Sequence, residues 1–372
     1  MSEFNNNWTR RHFLKGIGAA GGSTALFGTM TALGLINLPP AWAGPPNLPQ
    51  DSGRGKTVII LGAGIAGLTT AFRLSLAGYQ CEILEAQNRA GGRNLTARRG
   101  TIISDTEYED QECRFDEGLY VNLGPGRIPF HHQRVLTYCR LLRVPLETYI
   151  METTANLFQS NRTFGKEPQL NGQIANDTRG YIAELLAQAV NDGTLDSKLD
   201  GVNKNRLLDL LRVFGDLEDD SYRYNGSTRS GCKNEPLGVT TPCEPKLPLD
   251  FNELLTARFW NHSFYQPIDY LWQPSLFQPI GGMDQIVEGF KRVIGHLIRY
   301  NAEVTEIHLP VENGQITING TDRVTGEVFS KTADYCVSNI PLPVLQKIET
   351  NFSPEFNTAV LEGTFEPACK VG

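Results

Sequence analysis

The sequence predicts an α/β protein of two domains on three observations. A short, continuously apolar run leads into a glycine-rich turn and a helix, strand patterning returns near the end of the chain, and a long helical stretch lies between. With 372 residues, 40% hydrophobic and 20% charged, the chain can bury a large core and exceeds the usual size of one domain. Its net charge of -7 leaves no basic surplus to gather nucleic acid or anionic membrane, so neither is expected as a partner.

Residues 1–43 read as a targeting segment. Thr9-Arg10-Arg11-His12-Phe13-Leu14-Lys15 precedes a Gly/Ala-rich apolar stretch from Gly16 to Leu38 and a small-residue pattern, Ala41-Trp42-Ala43. This resembles a twin-arginine export signal. The glycines and the Pro39-Pro40 break make the stretch weakly apolar for a permanent membrane helix, so no stable span is expected after cleavage. Removing Arg10, Arg11, Lys15 and Glu3 takes away a net +2 and turns -7 into -9, an acidic protein expected to be soluble and periplasmic or secreted. The seven cysteines include no C-x-x-C pair and resemble neither a zinc site nor a disulfide framework; most are expected as core thiols. Cys232 and Cys243 share one loop-like stretch where pairing after export is open to them.

Residues 44–55 have the Pro/Gly-rich, polar composition of a linker, and the fold is expected to start at Lys56. Thr57 to Leu61 is a run of the type buried on both faces of a parallel sheet, Leu68 to Ala77 has helical spacing ended by Gly78, and Cys81 to Glu85 is a second buried strand. Together they make a Rossmann-type β-α-β unit. Helices are expected near 133–143, 178–191, 204–214, 251–261 and 283–299, with a turn-rich stretch from Glu218 to Pro248. That middle section reads as a helical insert covering a binding site. Strands are expected at 303–309, 315–319, 327–332 and 334–338.

Gly62-Ala63-Gly64-Ile65-Ala66-Gly67 sits between the first strand and its helix, where glycine allows the tight turn and brings backbone N–H groups up to a pyrophosphate. Glu85, 18 residues beyond Gly67 and followed by Ala86, puts a carboxylate at the end of the second strand for the ribose hydroxyls. Arg89-Ala90-Gly91-Gly92-Arg93 follows. From Val58 to Arg93 the sequence resembles the amino-terminal signature of the flavin amine oxidase superfamily, and the resemblance implies FAD. It places Gly91, Gly92 and Arg93, with Arg89 before them, along the phosphates and ribityl chain.

Leu123-Gly124-Pro125-Gly126-Arg127-Ile128-Pro129 resembles the L-amino-acid oxidase version of the segment that faces the isoalloxazine. The resemblance makes Arg127 the clamp for a substrate α-carboxylate, which suits a planar guanidinium with two parallel donors. Gln278 to Asp284 is similar to the turn that re-enters the FAD domain, Val304 lies in the strand that contacts adenine in the family, and Asp334 to Pro341 looks like the strand end beneath the cofactor. Phe365 to Val371 resembles the segment whose lysine, here Lys370, holds a water against flavin N5. For the side-chain pocket, Arg258, His262, Tyr265 and Asp269 are candidates; Arg258 suits an acidic substrate, Asp269 a basic one, and His262 a side-chain contact or proton transfer.

The resemblance implies an FAD-binding domain in two parts, 56–125 and 280–345, a substrate domain over 126–279, and the start of a returning substrate-domain segment in 346–372. It implies oxidation of an L-amino acid by O2 to a 2-oxo acid, ammonia and hydrogen peroxide. Amines without a carboxylate are the alternative substrates. Twin-arginine export of folded proteins suits an enzyme that first closes around a cofactor. Family members continue beyond the point matched by Gly372 with a further FAD motif, so the chain reads as a fragment, a piece of a processed precursor or a truncated product, with weak FAD retention. A homodimer or an assembly with the missing segment is the expected partner state.

Overall fold

The computed structural model describes residues 44–104, 109–150, 153–234, 241–261, 276–310 and 314–363. They divide into two compact units: 44–126, 131–145 and 279–363 form the first, and 127–130 with the described part of 146–278 forms the second.

The main strands of the first unit are β1 (Thr57–Leu61), β2 (Gln80–Leu84), β3 (Thr96–Arg98), β4 (Tyr120–Asn122), β5 (Ile298–Arg299), β6 (Ala302–His308), β7 (Ile316–Asp322), β8 (Val328–Ala333) and β9 (Tyr335–Ser338). Its helices include α1 (Ile65–Leu76), α2 (Gln133–Leu141) and α3 (Gln285–Ile294). The parallel sheet runs β5-β2-β1-β9, which places the most apolar strand between two others, with Val58 through Leu61 all buried. Side chains alternate along β1. Ile59 and Leu61 join Leu84, Val304, Ile307 and Ile318 in one core cluster, packed against the sheet formed by β6, β7 and β8. Helices α1 and α3 pack together, with Phe72 edge-on to Phe290 at 5.9 Å and to Tyr138 of α2 at 6.5 Å.

That aromatic cluster explains why residues 131–145 belong with the first unit, although the sequence reading set them in the substrate domain: α2 contributes Tyr138 to the core beneath α1. The expected helix over 283–299 stops at Ile294; a turn at Gly295–Leu297 leads into β5, whose two residues are too short for a strand period to show. Residues 44–55 form no helix or strand, as expected of their composition, yet they are docked rather than free. The Gly53 N–H donates to Ala77 O at 2.9 Å, and a β-carbon at Gly53 would stand 2.1 Å from the Tyr79 ring.

Asp334 ties the starts of β1 and β9. Its carboxylate accepts from Thr57 N at 2.8 Å, Thr57 Oγ1 at 2.9 Å and Lys56 Nζ at 3.1 Å, while its own N–H donates to Thr57 Oγ1 at 3.0 Å. These donors, led by the Thr57 N–H, hold the carboxyl down at about 2.

In the second unit, helices Asn171–Asn191 and Gly201–Gly215 pack through Ala183, Ala187 and Leu211. The close approach needs glycine: a β-carbon at Gly215 would lie 2.3 Å from that of Ala183. The first helix begins seven residues before the expected 178 because its opening turns bury Asn171, Gln173 and Asp177, polar residues that hide the apolar stripe. Asp177 is fully buried and accepts from Tyr224 Oη and Ser230 Oγ, each at 2.6 Å, and from Leu249 N at 2.8 Å. Burial, then the Asp177 carboxylate, pushes the Tyr224 phenol well up, which keeps it protonated as a donor. Cys232 and Cys243 are joined in a disulfide inside the same connection. Among the described residues no helix is long and apolar enough to cross a membrane.

Candidate cofactor site

The first unit builds a crevice outside the carboxyl ends of β1 and its neighbours. β2 and β5 lie on one side of β1 and β9 on the other, and ligands of open parallel sheets bind where the order switches in this way. The glycine loop from Gly62 to Gly67 spans that point. Gly62 has a φ of +93°, a conformation costly to a side chain. A β-carbon at Gly67 would lie 2.1 Å from Gly62 O, so only glycine lets α1 come this close to β1; one at Gly64 would lie 2.8 Å from Asn339 Nδ2. Helix α1 starts at Ile65, with Ala66 exposed in its first turn, so its unpaired N–H groups face the loop's open side.

Glu85 stands directly after β2 and is 8% exposed. Its Oε2 accepts from Ala63 N at 2.7 Å and its Oε1 from Gln87 N at 2.9 Å, so the carboxylate braces the glycine loop itself. Each oxygen keeps a lone pair for a hydroxyl donor. The carbonyl of Ala86, next in the chain, accepts from Arg323 Nη1 at 3.5 Å.

The Gly91-Gly92-Arg93 turn is pinned onto this loop. Gly91 N donates to Ala63 O at 2.8 Å, and Gly64 and Gly91 form a parallel bridge. Gly91 (φ +106°) leaves room for Val287 of α3, which a β-carbon would meet at 3.0 Å. Arg89 is half buried and donates to Gly92 O at 2.9 Å; burial lowers its pKa, and the Glu85 charge works against that. Arg93 is exposed. The turn thus brings the Arg89 guanidinium close to the start of α1, an arrangement suited to a diphosphate.

Gly124 lies against the same turn: a β-carbon there would stand 1.9 Å from Arg93 O, and Leu123 N donates to Leu95 O at 2.9 Å. Pro125 is exposed and Gly126 half buried. Arg127, half buried, opens the second unit just before the strand Ile128–Pro129, which pairs with Leu276–Pro279.

A polar network missed at the level of sequence fixes the returning Gln278–Asp284 turn. Asn122 Oδ1 accepts from Thr96 Oγ1 and from Met283 N, both at 2.8 Å, and Asp284 N donates to Thr96 Oγ1 at 3.2 Å. Arg98 grips both Asp284 oxygens, at 2.7 and 2.8 Å, and also donates to Gly281 O. The signal in sequence was the polar residue on alternate positions of β3, Thr96 and Arg98, which an apolar-strand reading passes over.

Val304 is a core residue, 8% exposed within the cluster under β1. Arg258 is exposed and sits in the left-handed conformation (φ +53°) that ends the helix Phe251–Ala257, four residues short of the expected 261. His262, Tyr265, Asp269, Lys370 and residues 1–43 lie outside the described residues.

The lining of the crevice fits a dinucleotide: glycines where a β-carbon would clash, a buried carboxylate directly after β2 and a half-buried arginine at the neighbouring turn. Comparison with known proteins narrows the cofactor. The profile of the family described as flavin containing amine oxidoreductase matches residues 65–372. The putative L-amino-acid oxidase YobN of Bacillus subtilis (strain 168) is 26% identical over 336 residues, covering 85% of this chain and 63% of the relative. The L-amino acid oxidase of Bothrops pictus is 24% identical over 288 residues (76% and 52%), and that of Naja atra 23% over 295 (77% and 52%). The chain spans about half to two thirds of the length of these relatives. With a family match over most of its length and a crevice built for a dinucleotide, the chain belongs to the flavin containing amine oxidoreductase family, with FAD as its cofactor.

Proposed function

We propose that the protein to which this chain belongs oxidises an L-amino acid to a 2-oxo acid with release of ammonia and hydrogen peroxide. The observation that carries the reading is Arg127, standing three residues beyond the Gly124 turn that is locked to the Gly91-Gly92-Arg93 segment. Relatives named L-amino-acid oxidases support it. Bound FAD would supply the two-electron acceptor and pass the electrons on to O2. The glycine loop, Glu85 and Arg89 would hold its dinucleotide end. Arg127 would take the α-carboxylate through two parallel N–H donors, which fixes the face of Cα presented and makes a carboxylate a condition of binding. In the same reading the protein is exported, supported by Arg10-Arg11 and by a disulfide that persists in oxidising compartments.

A peroxide assay on L-amino acids and their decarboxylated amines tests this in the protein that carries the chain. Arg127→Ala is expected to raise KM for amino acids about a hundredfold or more, the cost of losing a bidentate charged pair, and to leave decarboxylated amines unaffected. An unchanged KM, or equal turnover of the amines by the unaltered protein, removes the carboxylate clamp.

A further inference from the structure

The residue directly after β9 carries a polar side chain against the glycine loop. Asn339 follows Ser338, the last residue of β9, and its N–H donates to Leu61 O at 2.8 Å, which extends the β1–β9 ladder by one step. Its side chain is therefore held at the crevice mouth rather than trailing into the loop. The carboxamide lies across the glycine loop: Nδ2 is 2.8 Å from where a β-carbon would stand at Gly64 and 3.3 Å from that position at Gly67. Asn339 is half buried, and among the described residues its carboxamide has no hydrogen-bond partner. An amide partly stripped of water and left without an acceptor costs free energy that an anionic acceptor would return as a charge-assisted bond.

We propose that Asn339 is a cofactor-binding residue, whose carboxamide donates to the FAD diphosphate from the β9 side of the crevice, opposite Glu85 and the Gly91-Gly92-Arg93 turn. The inference rests on the family's cofactor and not on the substrate assigned above. A dinucleotide lying over the loop from Gly62 to Gly67 would pass its charged centre above Gly64, because Gly64 is the N-cap of α1 and the unpaired N–H groups of the helix follow directly from it. Asn339, directly after β9, has the side chain that touches this position. The same contact explains the glycine at 64, since any side chain there would displace the amide.

The test is FAD affinity of the full chain, read from quenching of flavin fluorescence, with adenosine and ADP as competing ligands. Asn339→Ala is expected to weaken FAD and ADP about tenfold, one hydrogen bond to a charged group, and to leave adenosine unchanged. Asn339→Asp keeps the shape and packing but sets a carboxylate against the diphosphate, so a loss of about a hundredfold or more is expected for FAD and ADP. If both variants bind FAD within about twofold of the unaltered chain, or if adenosine weakens in step with ADP, Asn339 only packs against the loop and the proposal fails. Circular dichroism and the apo unfolding midpoint show whether each variant folds. Should the Asp variant not fold, Asn339→Ser replaces it, with the same tenfold loss for FAD and ADP expected and the same twofold result overturning the assignment.

Discussion

Gly67→Ala places a methyl carbon 2.1 Å from the carbonyl oxygen of Gly62. A carbon and an oxygen in ordinary contact stand about 3.3 Å apart, so the chain has to open by about 1.2 Å. The obstacle is backbone, and no rotamer relieves it. Either α1 slides outward from β1 or the glycine loop unbends, and both move the N–H groups that open the helix. Overpacking of this kind costs up to about 3 kcal/mol, from which alanine's helix preference over glycine recovers at most about 1 kcal/mol, leaving a net loss of about 2 kcal/mol. A shift of about 1 Å also stretches a hydrogen bond to a phosphate beyond useful length, worth about tenfold to a hundredfold in FAD affinity. Urea unfolding and flavin titration measure the two effects. Gly201→Ala is the control: nothing lies within 4 Å of its would-be β-carbon at the start of a helix, so that variant is expected to be unchanged or up to about 1 kcal/mol more stable, with FAD affinity untouched. A Gly67→Ala chain within about 0.5 kcal/mol of the unaltered protein and binding FAD equally well would refute the close approach of α1 to β1 on which the site is built.

Three further outcomes follow from the packing. Asp334 has its carboxyl lowered to about 2 from an ordinary 3.8, so its stabilising effect is present in full above about pH 4 and is lost as pH falls toward 2; Asp334→Asn is expected to flatten acid unfolding across that window, and parallel profiles would count against the Thr57 and Lys56 tie. Asp177→Ala strands the buried Tyr224 and Ser230 hydroxyls and the Leu249 N–H, which is expected to destabilise the second unit by about 3 kcal/mol or more and to speed exchange of the Leu249 amide. Cys232→Ser with Cys243→Ser opens a short loop and is expected to cost about 2–3 kcal/mol by urea unfolding, a loss matched by dithiothreitol on the unaltered chain and absent when the reductant is added to the double variant.

What could be read without coordinates was the part of the site whose residues are neighbours in sequence. Three glycines, a following helix and an acid at a fixed distance form one β-α-β unit, and the glycines declare themselves because no other residue adopts the required backbone or permits the close approach. The Gly91-Gly92-Arg93 turn follows so soon that its place over the loop is nearly dictated by chain length. The helices of the second unit were visible through their apolar spacing, except where buried polar residues interrupted it, as in the turns around Asp177.

Tertiary structure decided the rest. Thr96, Asn122 and Arg98 meet Met283 and Asp284 across more than 160 residues, and Asn339 reaches the glycine loop only because β9 pairs with β1. A propensity for strand or helix carries no record of such partners. β5 joins the parallel sheet with two residues, too few for any periodicity, and the Pro/Gly-rich residues 44–55 are held by Ala77 and Tyr79 rather than by any pattern of their own. Local sequence thus specified the backbone of the candidate cofactor site, since the glycines act through chain geometry alone. The polar residues that hold that backbone in place act through hydrogen bonds between distant segments, which exist only once the sheet has formed.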